Sequence, residues 1–196
     1  MSVLIPLWVK IAWTAMVLVI VLIYWRHRGP ANFLWLSDIA FLSLVPGLWL
    51  ESSFIVSLVA CMVFVAEALW SVSFFGRLLH LPRVTGIADY MFDNETPRWL
   101  RAVSLFHVPL LAVLVWGPWR LGYDPGVFPW AVLITWAVLL LTRWLTGPER
   151  NVNHVYRFPV AAGADLTPVR HMLALMIAVP LVMQAPGHLL LWVMFG

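Results

Sequence analysis

Charge is scarce in this sequence: 11% of its 196 residues are Asp, Glu, Lys or Arg, while 63% are hydrophobic and the mean hydropathy is +0.91. A soluble domain carries about 25% charged residues and about 45–50% apolar ones. The shortage excludes a water-soluble surface and leaves no material for a separate soluble domain. Cysteine is nearly absent too. Cys61 alone excludes an internal disulfide and any four-cysteine metal centre, and within SLVACMVFVAEALW it reads as a buried, inert thiol. The apolar runs are continuous rather than alternating, which argues against a β-barrel. There is no H-x-x-H or H-E-x-x-H pattern, and no helix bears two spaced histidines for a bis-histidine haem. No internal repeat, low-complexity tract or domain boundary interrupts the chain.

What is present is a series of apolar runs of membrane-crossing length. A span needs about 20 residues, and the sequence predicts an all-α polytopic transmembrane bundle of about six spans, forming a single integral membrane domain over 1–196. The spans are expected at about 3–25, 32–50, 52–75, 99–120, 126–146 and 169–195. The opening segment lacks a basic n-region and a small-residue cleavage site, so it reads as a retained first span rather than a signal peptide. Gly29-Pro30 ends that span, Pro46-Gly47 loosens the end of the second, and Glu51 marks a very short turn into the third. The two long connections, 76–98 and 147–168, are the most polar parts of the chain, and the first is expected to hold a short surface helix.

Basic residues fix an expected orientation. Arg26, Arg28, Arg77, Arg83, Arg98, Arg101, Arg143, Arg150, Arg157 and Arg170 all fall in or beside the loops after spans one, three and five, which is ten of the twelve. Arg120 lies on the other side, and Lys10, within span one, is read as snorkelling to that interface. The positive-inside rule then makes the arginine-rich loops cytoplasmic and puts both termini on the non-cytoplasmic side. The expected address is a bacterial cytoplasmic (inner) membrane. The net charge of +3 and pI near 9.5 follow from this topology, so no nucleic-acid partner is expected. The thirteen tryptophans, among them Trp25, Trp49, Trp70, Trp99, Trp116, Trp119, Trp130 and Trp144 near predicted helix ends, read as interfacial anchors.

Three ionisable side chains lie inside spans: Asp38, Glu67 and His107. A charged group at the bilayer centre costs roughly 2.5–3.5 kcal/mol on insertion scales, so such residues usually face the bundle interior and mark function. At 1.5 Å per residue, all three sit about 9–12 Å below the same, arginine-rich face. The polar run Glu149-Arg150-Asn151-Val152-Asn153-His154-Val155-Tyr156 opens on that side, and His171 begins span six there. Each group also has a purely structural reading. Asp38 or Glu67 would pair with Arg101 or Arg143, His107 would serve local polar groups near Pro109, and Ser104 would bond within its own helix. Asp89-Tyr90, Asp93-Asn94-Glu95 and Arg98 read as a solvated, turn-rich connection, while His27, His80 and His188 sit near interfaces.

A carboxylate beside a histidine is a general acid–base pair. With Ser37 or Ser104 as nucleophile it would open an ester, and with neither it would activate water. At this depth the reachable bond belongs to an amphiphile, so membrane lipids are the expected partners. His107, Asp38, Glu67, Ser37 and Ser104 are the catalytic candidates, and Asn151, Asn153, His154, Tyr156 and Arg101 the candidates for holding a headgroup. No cofactor is required, although Asp38, Glu67 and His107 are the ligand types that suit Zn or non-haem Fe.

The set W-L-S-D in span two, M-F-D with R-x-x-S-L-F-H at span four, L-G-Y-D, and P-E-x-N-x-N-x-x-Y resembles a family of uncharacterised bacterial membrane proteins over about residues 30–158. In layout the chain also resembles the androgen-induced-protein family of intramembrane lipid esterases. That resemblance implies six spans and a threonine and a histidine on different helices. The histidine would map onto His107 and the nucleophile region onto Ser37-Asp38, where this chain has no threonine. Three functions stay open: a lipid hydrolase or acyltransferase; an accessory or assembly subunit of a membrane complex, packing on other membrane proteins or a second copy and binding a pigment or quinone; and a small transporter. The absence of an inverted repeat weighs against the last.

Overall fold

In the computed structural model the chain is all helical; the structure describes residues 4–82, 85–94, 96–158 and 166–196. Arg83, Glu95, the expected span start at Val3, and 159–165 of the last loop lie outside the described residues. Among the described residues five helices are long and apolar enough to cross a membrane: α1 Leu7–His27, α3 Ser53–Leu78, α4 Arg98–Leu121, α5 Pro125–Leu145 and α6 Pro168–Phe195. Between the first two lies α2, Leu36–Trp49, with 14 residues. At 1.5 Å per residue it extends about 21 Å, short of a hydrocarbon core about 30 Å thick. The second of the six expected spans is therefore shorter than its apolar run. Its first part is a separate 3-10 turn, Pro30–Leu34, because Gly29 (φ 75°) and Pro30 break the chain there.

Local sequence sets each boundary. α1 closes with the Arg28 and Gly29 amides both donating to the Tyr24 carbonyl, at 2.8 and 2.9 Å. α3 begins at Ser52, whose hydroxyl accepts from the Ile55 amide at 3.3 Å. α5 follows Asp124, which accepts from the Gly126 amide at 2.8 Å. α4 and α6 are interrupted. A 3-10 turn at Ser104–Phe106 breaks α4, and a π-helical turn at Val179–Gln184, containing Pro180, breaks α6. The connection before α4 carries the 3-10 turn Asp89–Phe92 where a short surface helix was expected.

α3 is the axis of the bundle: 56% of its most apolar stretch is buried, against 22% in α6. Around it pack Phe41, Leu44 and Leu48 of α2 and Leu110 and Leu114 of α4, all essentially without exposure. Lipid tails are as apolar as leucine, so such helices associate by close packing, and small residues bring backbones together. Gly117 does this for α4, since a Cβ there would lie 2.6 Å from Val56 Cγ1. Gly117→Ala is expected to cost about 1–3 kcal/mol by overpacking against a stiff β-branched neighbour. Adding Val56→Ala should return most of that loss. The sole thiol, Cys61, is 1% exposed, so its reaction with a thiol-reactive dye on heating reports unfolding directly. Unchanged melting in Gly117→Ala would refute the close contact.

At the end of the bundle away from the arginines, Glu51 (φ 50°) ties three segments together. Its carboxylate accepts from Lys10 Nζ at 2.8 Å and from the Leu4 and Ile5 amides at 3.1 and 3.2 Å. The Lys10 hydrogen bond, then that of Leu4, holds the Glu51 carboxyl at about 2. Lys10 does reach toward this end, but to an acid rather than to open solvent. Arg120 donates to the Leu4 carbonyl beside it at 2.8 Å through Nη2.

Candidate functional site

Near the arginine-rich end, α3 and α4 bring Glu67 and His107 into contact. Glu67 Oε2 lies 2.7 Å from His107 Nδ1, with the Glu67 side chain 3% exposed and that of His107 12%. Trp70, one turn beyond Glu67 on the same face of α3, stacks on the imidazole at 4.4 Å and 26°. Phe106 stacks on it at 4.3 Å and 25°. The ring is thus held at its Nδ1 edge and against two aromatic rings. A carboxylate only accepts, so Nδ1 carries the hydrogen and donates, which leaves Nε2 as the basic nitrogen. Nε2 has no hydrogen-bond partner among the described residues and is not sealed from its surroundings.

Asp38, in the first turn of α2, is buried and accepts from Asn32 Nδ2 at 3.4 Å. It lies within electrostatic reach of Glu67. Neither acid pairs with an arginine among the described residues. Arg101 donates to the Met91 carbonyl at 2.9 Å, and its Nε is buried without a partner. Arg143 stands over the Tyr156 ring at 3.9 Å and donates to the Val155 carbonyl at 3.4 Å. Asp38, Glu67 and His107 do not form a three-ligand group: among the described residues no three His, Cys, Asp or Glu side chains are arranged to hold a metal ion.

Ser104 shares α4 with His107, but its hydroxyl turns to α1, 3.1 Å from the Tyr24 hydroxyl, because the 3-10 turn re-aims it. It also meets the Tyr90 hydroxyl. Tyr90 in turn accepts from Trp70 Nε1 at 3.2 Å. Burial, above all, raises the Tyr90 phenol above its ordinary value, so it stays protonated. Ser37 is half-buried at the start of α2 and makes no side-chain hydrogen bond among the described residues. Tyr24, Trp70 and Tyr90 were not singled out from the sequence as site residues. Trp70 is 5% exposed and belongs to the imidazole's surroundings rather than to an interfacial belt.

The loop candidates are engaged with the chain itself. Asn151 Oδ1 accepts from the Tyr156 and Arg157 amides at 2.9 and 3.0 Å, and its Nδ2 donates to the Arg157 carbonyl at 2.8 Å. Asn153 Oδ1 accepts from the Leu36 amide at 3.0 Å, and its Nδ2 donates to the Leu34 carbonyl at 2.7 Å and to Thr142 Oγ1 at 3.2 Å. The Tyr156 hydroxyl reaches the carbonyls of Arg143 and Thr146. His154 sets its ring edgewise to Trp35 at 5.6 Å, and its carbonyl lies 2.8 Å from His171 Nε2. Burial first, and His171 second, lower the His154 pKa, which keeps the imidazole neutral, and its Nδ1 is buried without a partner.

No protein-family model, curated protein or solved structure matches the chain. The resemblances drawn from its motifs and layout therefore gain no support, and the site has to be read from its own geometry. The molecule is an all-helical protein with helices of membrane-spanning length and composition.

Proposed function

We propose that this is a six-span membrane protein whose Glu67–His107 pair acts as a general base on a lipid or lipid-like amphiphile, by hydrolysis or acyl transfer. In this reading the arginine-rich loops are cytoplasmic, both termini face the other side, and the membrane is the bacterial inner membrane. The observation that carries it is the 2.7 Å contact between Glu67 and His107 with Nε2 left unpartnered. Glu67 fixes the ring through Nδ1, and an unpartnered Nε2 that is open to its surroundings is free to take a proton.

In the reaction, Nε2 takes a proton from water, or from an acceptor alcohol, as its oxygen attacks the ester carbonyl. Collapse breaks the bond to the leaving alkoxide, which recovers the proton from Nε2. Glu67 holds the ring and stabilises the imidazolium in between. Ser104 is not the nucleophile in this scheme, because its hydroxyl is committed to Tyr24 rather than to His107.

The test uses the purified full chain in vesicles of phosphatidylglycerol and phosphatidylcholine, with free fatty acid, lysolipid and acyl-exchanged lipid read by mass spectrometry. Turnover is expected to fall about 10²–10⁴-fold in His107→Ala and to persist in Ser104→Ala. Full turnover in His107→Ala would end the assignment. No product from the wild type would instead move the protein toward the accessory-subunit reading.

A further inference from the structure

A second feature lies between α1 and α4, lined by neither Glu67 nor His107. An open apolar groove of about 460 Å³ runs between α1 and α4, lined by Met16, Ile20, Ile23, Ala102, Phe106 and Pro109 among others. The helices run antiparallel there, with His27 of α1 against Trp99 of α4 and Tyr24 against Ser104. The groove has a local cause. Ala102 is small, and the 3-10 turn at Ser104–Phe106 interrupts α4 beside it. On its inner side Phe106 separates the groove from the His107 ring, against which it is stacked.

Arg26 lies one helical turn beyond Ile23 and Arg98 one turn before Ala102, so both stand at the arginine-rich end of the groove. Arg26 and Arg28 end α1, Arg98 begins α4, and all three side chains are exposed. Arg150 joins them, its guanidinium donating to the Arg28 carbonyl at 3.2 Å. None of the four is in an ion pair among the described residues. His27 of α1 meets Trp99 of α4 edge to face at 4.9 Å, drawing the two helix ends together above the groove. A partner helix laid along the groove would have to part that contact, whereas a single hydrocarbon chain enters from the side.

We infer that this groove is a binding site for one acyl chain of an anionic phospholipid, whose phosphate is held by Arg26, Arg28 and Arg98. The apolar walls take the chain, and the exposed guanidiniums of the helix ends select the anion. The site needs the membrane orientation proposed above but not the chemistry at His107.

Native mass spectrometry of the full chain in detergent, titrated with phosphatidylglycerol or phosphatidylcholine, tests it. The wild type is expected to retain phosphatidylglycerol more tightly, by about fivefold for each arginine engaged. Arg26→Gln with Arg98→Gln, both at exposed positions, should abolish that preference and leave phosphatidylcholine binding unchanged. Ala102→Trp, which fills the groove from its lipid-facing side, should weaken both. Equal retention of the two lipids by the wild type, or a preference surviving the arginine substitutions, would overturn the inference. Selective binding without product would refute the chemistry and spare the groove; product without selective binding would do the reverse.

Discussion

The double variant Glu67→Leu, His107→Leu is expected to melt close to the wild type, whereas His107→Leu alone is expected to lose about 3–5 kcal/mol. The asymmetry follows from what each change leaves behind. Removing His107 strands a carboxylate with 3% exposure and no arginine beside it. Removing both groups leaves two apolar side chains against Trp70 and Phe106, which already enclose the ring. Replacing a whole buried pair by apolar residues is often neutral or stabilising by about 1–4 kcal/mol. Dye labelling of Cys61 during heating measures both variants on one scale. A stable double variant without turnover would mean the pair is kept for chemistry at a cost in stability. A double variant as weak as His107→Leu alone would make the contact a structural clamp and remove the reason for assigning it a reaction.

The helices were largely legible because hydropathy speaks plainly in a membrane. The ends expected for spans three to six fall within three residues of the observed helices. Span two was overread, since Phe33 and Leu34 are as apolar as a helix interior while Gly29-Pro30 forces a tighter turn. The shared depth of Asp38, Glu67 and His107 was legible for a related reason, since ionisable groups inside apolar runs are costly and draw attention, but which acid meets the histidine was not. Their surroundings were not. A tryptophan near a helix end looks the same whether it anchors in an interface or stacks on an imidazole, and Trp70 does the latter. Tyr90 reaches Trp70 from a loop, which no periodicity encodes. Ser104 has the right spacing from His107, but the 3-10 turn between them redirects its hydroxyl, and only the backbone reveals that.

The loop asparagines show how one signal carries two meanings. A dense run of donors and acceptors beside a buried acid–histidine layer suits a headgroup clamp, and it equally suits a knot that caps neighbouring elements. Asn153 does the second: α2 has no side-chain cap of its own at Trp35, and the Leu36 amide donates to Asn153 Oδ1 instead, 117 residues away in sequence. Asn153→Ala is expected to cost about 2–3 kcal/mol, because the Leu36 amide and the Leu34 carbonyl both lose their partner. Alanine is also disfavoured at φ 50°, a left-handed conformation that asparagine tolerates. Asn153→Gly relieves that strain while losing the same bonds, so it should fall between alanine and wild type, and the gap between the two variants measures the backbone share. Asn153→Asp keeps the acceptor for Leu36 but sets a carboxylate against the Leu34 carbonyl, and should not rescue. Melting curves read by Cys61 labelling, taken beside lipid turnover, separate the two meanings. Loss of stability with turnover per folded molecule unchanged makes Asn153 a cap; loss of turnover with melting unchanged would restore it as a substrate contact.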